Sequence, residues 1–284
     1  MAVSGNVVSN SLTLPVAPSG GMCTDPTFGT TGALMQTLSG RPSVNTGFVG
    51  LLRTTSGGQS GTTQTKDTIQ ATFSSLAGSA YSAGSSAISL GSCFTRQSTT
   101  ASTPASTGSL DAGLVTINGP AGLAAVSNSD GAYLAQLASG FIPTAGGSFT
   151  VQGSGGHDVG NFAVTLSLPS PSLTWSNVAA NSSIDRSQGA TITWSGGAPN
   201  SYVAITGTVS PSADGQPLSA SYTCVAPVAA SQFTVPPAVL LSMPPGAGTI
   251  TVANSSNFQT FTASGLDFGF AFAGVSQQIN VTYN

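Results

Sequence analysis

The sequence predicts an all-β protein: two β-sandwich domains, the second Ig-like, with at most one or two short helices. The first observation is alternation of apolar and polar residues with a period of two, the mark of half-buried strands. In 190–195, Ile192 and Trp194 share one face and Thr191, Thr193 and Ser195 the other. In 201–209, Val203, Ile205 and Gly207 alternate with Tyr202, Ala204 and Thr206. With the turn Gly196-Gly197-Ala198-Pro199-Asn200 between them, the two runs read as an antiparallel hairpin, and Trp194 as an anchor between two sheets. The second observation is that residues which build helix surfaces are nearly missing: there are 5 Lys and Arg together and 8 acids, all Asp, with no Glu. The third is the abundance of Thr, Ser, Val and Gly with 17 prolines, which suits strands and turns. Disorder is excluded for most of the length, because 39% of residues are hydrophobic, 13 are Phe and the net charge is only −3.

Residues 1–18 form an extended arm or edge strand. Leu12, Leu14 and Val16 alternate with Thr13, Pro15 and Ala17, and Pro15 favours an edge because it cannot donate to a ladder. Two readings stand: a first strand of the chain's own sheet, the commoner habit of N-terminal strands, or an assembly strand added to a neighbouring copy. Residues 19–168 are the first sandwich domain. A short helix is expected over 31–41, with Thr31 as cap, Leu34, Met35 and Leu38 on one side and Gly40 as stop. Strands follow at 46–54, 67–74, 85–90, 113–118, 131–137, 147–152 and 160–167. The turns between them include Asn118-Gly119-Pro120 and Asn128-Ser129-Asp130-Gly131, and a Ser/Thr/Ala loop covers 98–108. Residues 169–172, with two prolines in four positions, read as a stiff linker. The second domain, 173–284, repeats the rhythm at 173–176, 190–195, 201–209, 218–226, 231–235, 248–254, 258–263, 267–273 and 276–283. One helical turn is expected between Pro236 and Met243.

Of the three cysteines, Cys23 and Cys93 fall in one candidate domain in loop-like settings and are expected to form a disulfide. Cys224 lies in a strand pattern and is expected as a buried free thiol.

The second half resembles the Ig-like domains of uncharacterised secreted bacterial proteins, in Ile192-Thr193-Trp194-Ser195-Gly196-Gly197, in Phe233-Thr234-Val235-Pro236 followed by Val239-Leu240-Leu241, and in Gly248-Thr249-Ile250-Thr251-Val252. The first half is similar to them in Met22-Cys23-Thr24-Asp25-Pro26 and in Gly153-Ser154-Gly155-Gly156-His157-Asp158-Val159-Gly160. The resemblance implies export and a β fold. The family has no assigned activity, so no functional residue carries over. The start of the sequence has neither a basic region nor an apolar run, which fits either a protein that stays inside the cell or, as the composition favours, a mature exported form whose signal peptide is not in the chain.

The chemistry the sequence offers is thin. A Ser-His-Asp hydrolase would have to use His157, the only histidine, but neighbours on an extended chain point apart, so Asp158 is not expected to orient the ring, and no nucleophile elbow is present. The pair is read as a polar turn. Zinc ligands at short spacing are missing. Asp111, Asp130, Asp158, Asp185, Asp214 and Asp267 are scattered singly, leaving weak calcium binding and an Asp-pair glycosidase open only if the fold gathers them. Gly57-Gly58-Gln59-Ser60-Gly61 lacks the lysine of a phosphate loop. Trp175, Trp194, Tyr81, Tyr133, Tyr202 and Tyr222 are candidates for a sugar platform, although alternating strands favour core packing for Trp194 and Tyr202. Nucleic acid and membrane insertion are not expected, since there is neither a basic patch nor an apolar run of about 18 residues.

The sequence therefore points to a non-enzymatic extracellular or cell-surface structural protein without a cofactor. It would be a surface or filament subunit that self-associates as a homopolymer or homo-oligomer by β-strand exchange. The alternatives are a carbohydrate-binding or adhesive module with glycans as partner, and after that a secreted hydrolase.

Overall fold

The structure is a computed structural model and describes residues 3–4, 7–8, 43–57, 63–77, 86–90, 92–98, 106–129, 132–168, 170–209, 219–256 and 258–284. The expected helix at 31–41, Cys23 and the assembly strand of Leu12, Leu14 and Val16 lie outside the described residues. Those residues are nearly all β, as expected.

Alternating runs longer than the expected ones build the central sheet. Its ladder runs β10 (Asn128–Ser129), β11 (Ala132–Gln136), β4 (Thr63–Ala77), β3 (Ser43–Gly57), β22 (Phe268–Tyr283), β20 (Gly246–Ser255), β17 (Tyr202–Val209), β18 (Ser219–Pro227), β6 (Cys93–Ser98) and β5 (Ser86–Leu90). Three short strands join it: β7 (Ser106–Ser109) on β4, and β15 (Ser183–Ile184) and β21 (Gln259–Phe261) on β22. The expected strands 267–273 and 276–283 are one strand, because Gly274 stays in the ladder opposite Ser255 and Leu52. At 16 residues, β22 is about 50 Å long. It pairs in parallel with β3, from Phe268 opposite Thr46 to Ile279 opposite Gly57. On its other side it pairs antiparallel with β20 and then β21.

Two smaller sheets cover one face. One runs β13 (Phe162–Leu168), β12 (Gly147–Gly153), β8 (Val115–Gly119) and β9 (Gly122–Val126); the other β14 (Thr174–Trp175), β16 (Ala190–Ser195) and β19 (Gln232–Val235). A separate antiparallel pair joins β1 (Val3–Ser4) and β2 (Val7–Val8). The four-stranded sheet packs through Phe162, whose ring lies 5.4 Å from Phe73 of β4 and 4.8 Å from Phe261 of β21. Trp175 and Trp194 of the three-stranded sheet are buried in the same core cluster as Ile205, Tyr222, Val252 and Ile279 of the central sheet, the anchor role expected of Trp194. Set against β15, β22, β20, β17 and β18, this sheet completes an Ig-like sandwich. Pro237–Leu240 is a short helix, α1, entered from Pro236 as expected, with Val239 and Leu240 buried.

Three expectations are corrected. First, residues 190–195 and 202–209 are strands with the expected burial, but they are not a hairpin. β16 pairs with β14 and β19, while β17 pairs with β18 and β20. The intervening segment, with Gly196, Gly197 and Asn200 at positive φ, crosses from one sheet to the other. Second, the boundary at 169–172 does not divide the sheet. β22 pairs with β3, β18 pairs with β6, and the buried residues of both halves form one cluster. Pro171, in a cis peptide, is held to the sandwich by the Gly197 N–H donating to its carbonyl at 3.0 Å. Third, Cys93 bonds to Cys224, not to Cys23. The two stand directly opposite each other on β6 and β18, both buried, with Cα atoms 3.9 Å apart, so Cys224 is not a free thiol. Strand pairing, not shared loop character, brings the sulfurs together.

Candidate functional site

The segment 110–114, between β7 and β8, meets the glycine-rich turn 154–160 between β12 and β13. Gly113 and Gly155 both have positive φ, and a Cβ on Gly113 would stand 2.2 Å from the Gly155 carbonyl oxygen. Only glycine lets the two loops approach this closely. The Ser154 N–H donates to the Leu114 carbonyl, and the Leu114 N–H to Ser154 Oγ, both at 2.9 Å.

Asp111, Tyr133, His157 and Asp158 gather here. Asp111 Oδ1 accepts the Gly113 N–H at 2.9 Å and the Tyr133 hydroxyl at 3.3 Å, and its Oδ2 accepts the His157 N–H at 3.0 Å. Asp158 Oδ2 accepts the Asp111 N–H at 2.9 Å, while its Oδ1 stands 2.8 Å from His157 Nδ1. Asp158 and Val159 donate their N–H groups to the Asp111 carbonyl. The expectation that Asp158 could not hold its neighbour's ring is thus corrected: the chain bends at 157–159 instead of running extended, which turns both side chains to one side. The expected polar turn is present.

The electrostatics follow from these bonds. Backbone N–H donation from His157 and Gly113 holds the Asp111 carboxyl below its usual range. The Asp111 N–H and then the His157 ring do the same for Asp158. The hydrogen bond to Asp158 raises the His157 pKa. Raised His157 contributes stability present below about pH 6.5 and lost as pH rises through its folded pKa. The lowered aspartates contribute stability present above about pH 3.9 and lost as pH falls through theirs. The loops are therefore held best in mildly acidic solution. In an NMR titration the His157 ring is expected to protonate above about pH 6.5, and Asp158→Asn to lower the midpoint; a wild-type midpoint at or below that value would show that Asp158 does not hold the ring.

Chemically the arrangement is a loop fastening. Both carboxyls are ionised at neutral pH, whereas a glycosidase acid needs a raised pKa. The His157 ring is almost fully exposed. Ser154 Oγ accepts from Leu114 and donates to the Gly155 carbonyl. Among the described residues, no three His, Cys, Asp or Glu side chains are grouped as a metal site requires. Asp185 accepts from Ser187 within its own turn, and Asp267 accepts the Asn45 N–H; Asp130 and Asp214 lie outside the described residues. Beside the loops, Leu114, Thr116, Gln152, Ser154, Asn161 and Thr262 line a shallow open depression of mostly neutral polar groups.

Of the sugar-platform candidates, Trp175, Trp194, Tyr133 and Tyr222 are buried, Tyr202 is 54% exposed, and Tyr81 lies outside the described residues. Sequence reasoning missed a buried ion pair. Arg53 of β3 and Asp67 of β4 stand opposite each other and bond through Nε–Oδ1 and Nη2–Oδ2, each 2.8 Å. Asp67 Oδ2 also accepts the Ile142 N–H at 3.1 Å, and Arg53 donates to the Ile142 carbonyl, fastening the segment before β12. Among the described residues, no helix is long and apolar enough to cross a membrane. No protein-family model matches the chain, and no curated protein matches it.

Proposed function

We propose that this chain is a non-enzymatic extracellular structural protein, a surface or filament subunit that joins further copies through the edges of its sheets. The observation that carries the reading is the pair of terminal strands of the four-stranded sheet. β9 (Gly122-Leu123-Ala124-Ala125-Val126) and β13 (Phe162-Ala163-Val164-Thr165-Leu166-Ser167-Leu168) contain neither a charged residue nor a proline. Among the described residues β9 pairs on one side only, with β8, and Leu123 is 70% exposed. Proteins that stay monomeric guard such edges with Lys, Pro or a bulge. An apolar alternating segment such as Leu12, Leu14 and Val16 of another copy has the pattern to extend an edge of this kind. The buried Cys93–Cys224 bond suits an oxidising compartment, in keeping with export and with the resemblance to secreted Ig-like proteins. A carbohydrate-binding module is the second reading, favoured by the shallow depression of hydroxyl and amide groups beside Ser154.

Negative-stain electron microscopy of the full chain, with and without residues 1–18, tests the first reading. Filaments or ordered assemblies that disappear on truncation are expected. Single particles in both samples, with retention on a polysaccharide array, would replace it with the second.

A further inference from the structure

We infer that the face of the central sheet left uncovered by the described residues is a second interface, on which another copy of this chain packs sheet against sheet through a phenylalanine cluster. The inference rests on the self-association proposed above and names a surface for it other than the strand edges.

Side-chain size on β22 is inverted. The residues facing the two covering sheets are Gly269, Ala271 and Ala273, whereas Phe268, Phe270 and Phe272 point to the uncovered face. Small residues inside are required: a Cβ on Gly269 would stand 2.6 Å from the Phe261 carbonyl oxygen. Nothing in the core requires large residues outside. Yet Phe48 of β3 and Phe258, between β20 and β21, join them. The Phe48 ring lies 5.1 Å from Phe270 and 5.4 Å from Phe272, and Phe258 lies 5.5 Å from Phe272. Phe258 is 58% exposed, and the other four are half-buried by one another. Neighbouring rings of the cluster are tilted by 31–72° to one another, so the five do not offer one flat platform for a stacked sugar.

The rest of the face is neutral. On β3, β22, β20, β17 and β18 it presents Leu52, Tyr202, Val225 and Pro227 among Thr, Ser, Ala, Gly, Gln and Asn, and among the described residues its charges are Lys66 and Arg96 on the outlying strands β4 and β6. Thr206 and Thr223 bond at 3.2 Å, Thr208 and Thr249 at 2.8 Å, and Thr54 and Ser276 at 3.0 Å, so these hydroxyls are partly satisfied before any contact forms. A charged partner would leave its charges unpaired here; an equally neutral face would not. Six strands about 4.8 Å apart over roughly ten residues present about 950 Å² per copy, above the roughly 800 Å² per partner of a stable interface. Two such faces meeting about a twofold axis are self-complementary, at the spacing of stacked sheets.

Sedimentation velocity over a concentration series, on the full wild-type chain, on Phe258→Lys, on Phe258→Leu and on the chain lacking residues 1–18, tests this, with thermal melting of each. Association is expected in the wild type, retained by Phe258→Leu and weakened about thirty-fold or more by Phe258→Lys with an unchanged melting temperature. Association that survives Phe258→Lys but is lost on truncation would overturn the face and leave the edges standing. A wild type that is monomeric throughout would overturn both. A monomeric wild type destabilised by Phe258→Lys would instead seat another part of the same chain on the patch, and would also overturn the inference.

Discussion

Replacing Cys93 and Cys224 together by serine is expected to lower the unfolding free energy by about 5 kcal/mol, the loop entropy of a bridge between residues 131 apart. That is as large as the whole stability of many domains, about 5–15 kcal/mol. Urea denaturation of the wild type with and without reductant, beside the double variant, measures it. Both cysteines are buried, so reductant should act only when the core around them opens. Cys224→Ser alone should reproduce most of the loss, and Cys23→Ser should leave the transition in place. A transition that moves with Cys23→Ser and ignores Cys224→Ser would return the bridge to the pair read from the sequence.

Asp67→Ala is expected to cost about 3–5 kcal/mol, because it strands the Arg53 guanidinium and the Ile142 N–H in a nearly dry site. The Asp67 side chain is only 3% exposed, so solvent screens the pair little. Arg53→Met alone should cost a similar amount by leaving the carboxylate unpaired, whereas Arg53→Met with Asp67→Ala should cost well under the sum of the two single losses. Calorimetric melting of the four proteins gives the coupling, and faster hydrogen exchange at the Ile142 amide would report release of the segment it fastens. Additive single losses would show that the two groups do not act as a pair.

Alternation identified almost every strand of the second half, because a residue such as Ile192 or Ile205 faces the core whichever strand lies beside it. What it could not carry is pairing. Strands 190–195 and 202–209 follow one another across a Gly-Gly turn, and only the closure of two sheets decides that the turn crosses between them. The same long-range pairing hid the disulfide, since nothing local marks Cys224 as opposite Cys93. The ion pair left a fainter trace: Arg53 shares the face of Val49 and Leu51, and Asp67 that of Ile69 and Ala71, one lone charge of each sign on successive apolar faces. The fastening of the His157 turn was hidden because it depends on Asp111, a distant residue that reaches it only once β8 and β12 are paired. The phenylalanine face was hidden because Phe268, Phe270 and Phe272 carry the pattern of core residues, and only the small glycine and alanines between them show which side is full.

The parallel pairing of β22 with β3 joins residues 222 positions apart, Thr46 with Phe268. A ribosome adding about 5–20 residues per second emits β3 and β4 roughly 10–40 s before their partner exists. Through that interval the β3 edge of this hairpin of two 15-residue strands waits without its partner. The halves cannot mature one after the other during synthesis, as independent domains would. Completion of the first depends on β22, Phe268–Tyr283, which is made after every other described strand. Refolding of the full chain is accordingly expected to be slow, since contacts this distant in sequence must close before they reward the chain. A factor that keeps the nascent strands apart has more to protect here than in a protein whose halves fold separately.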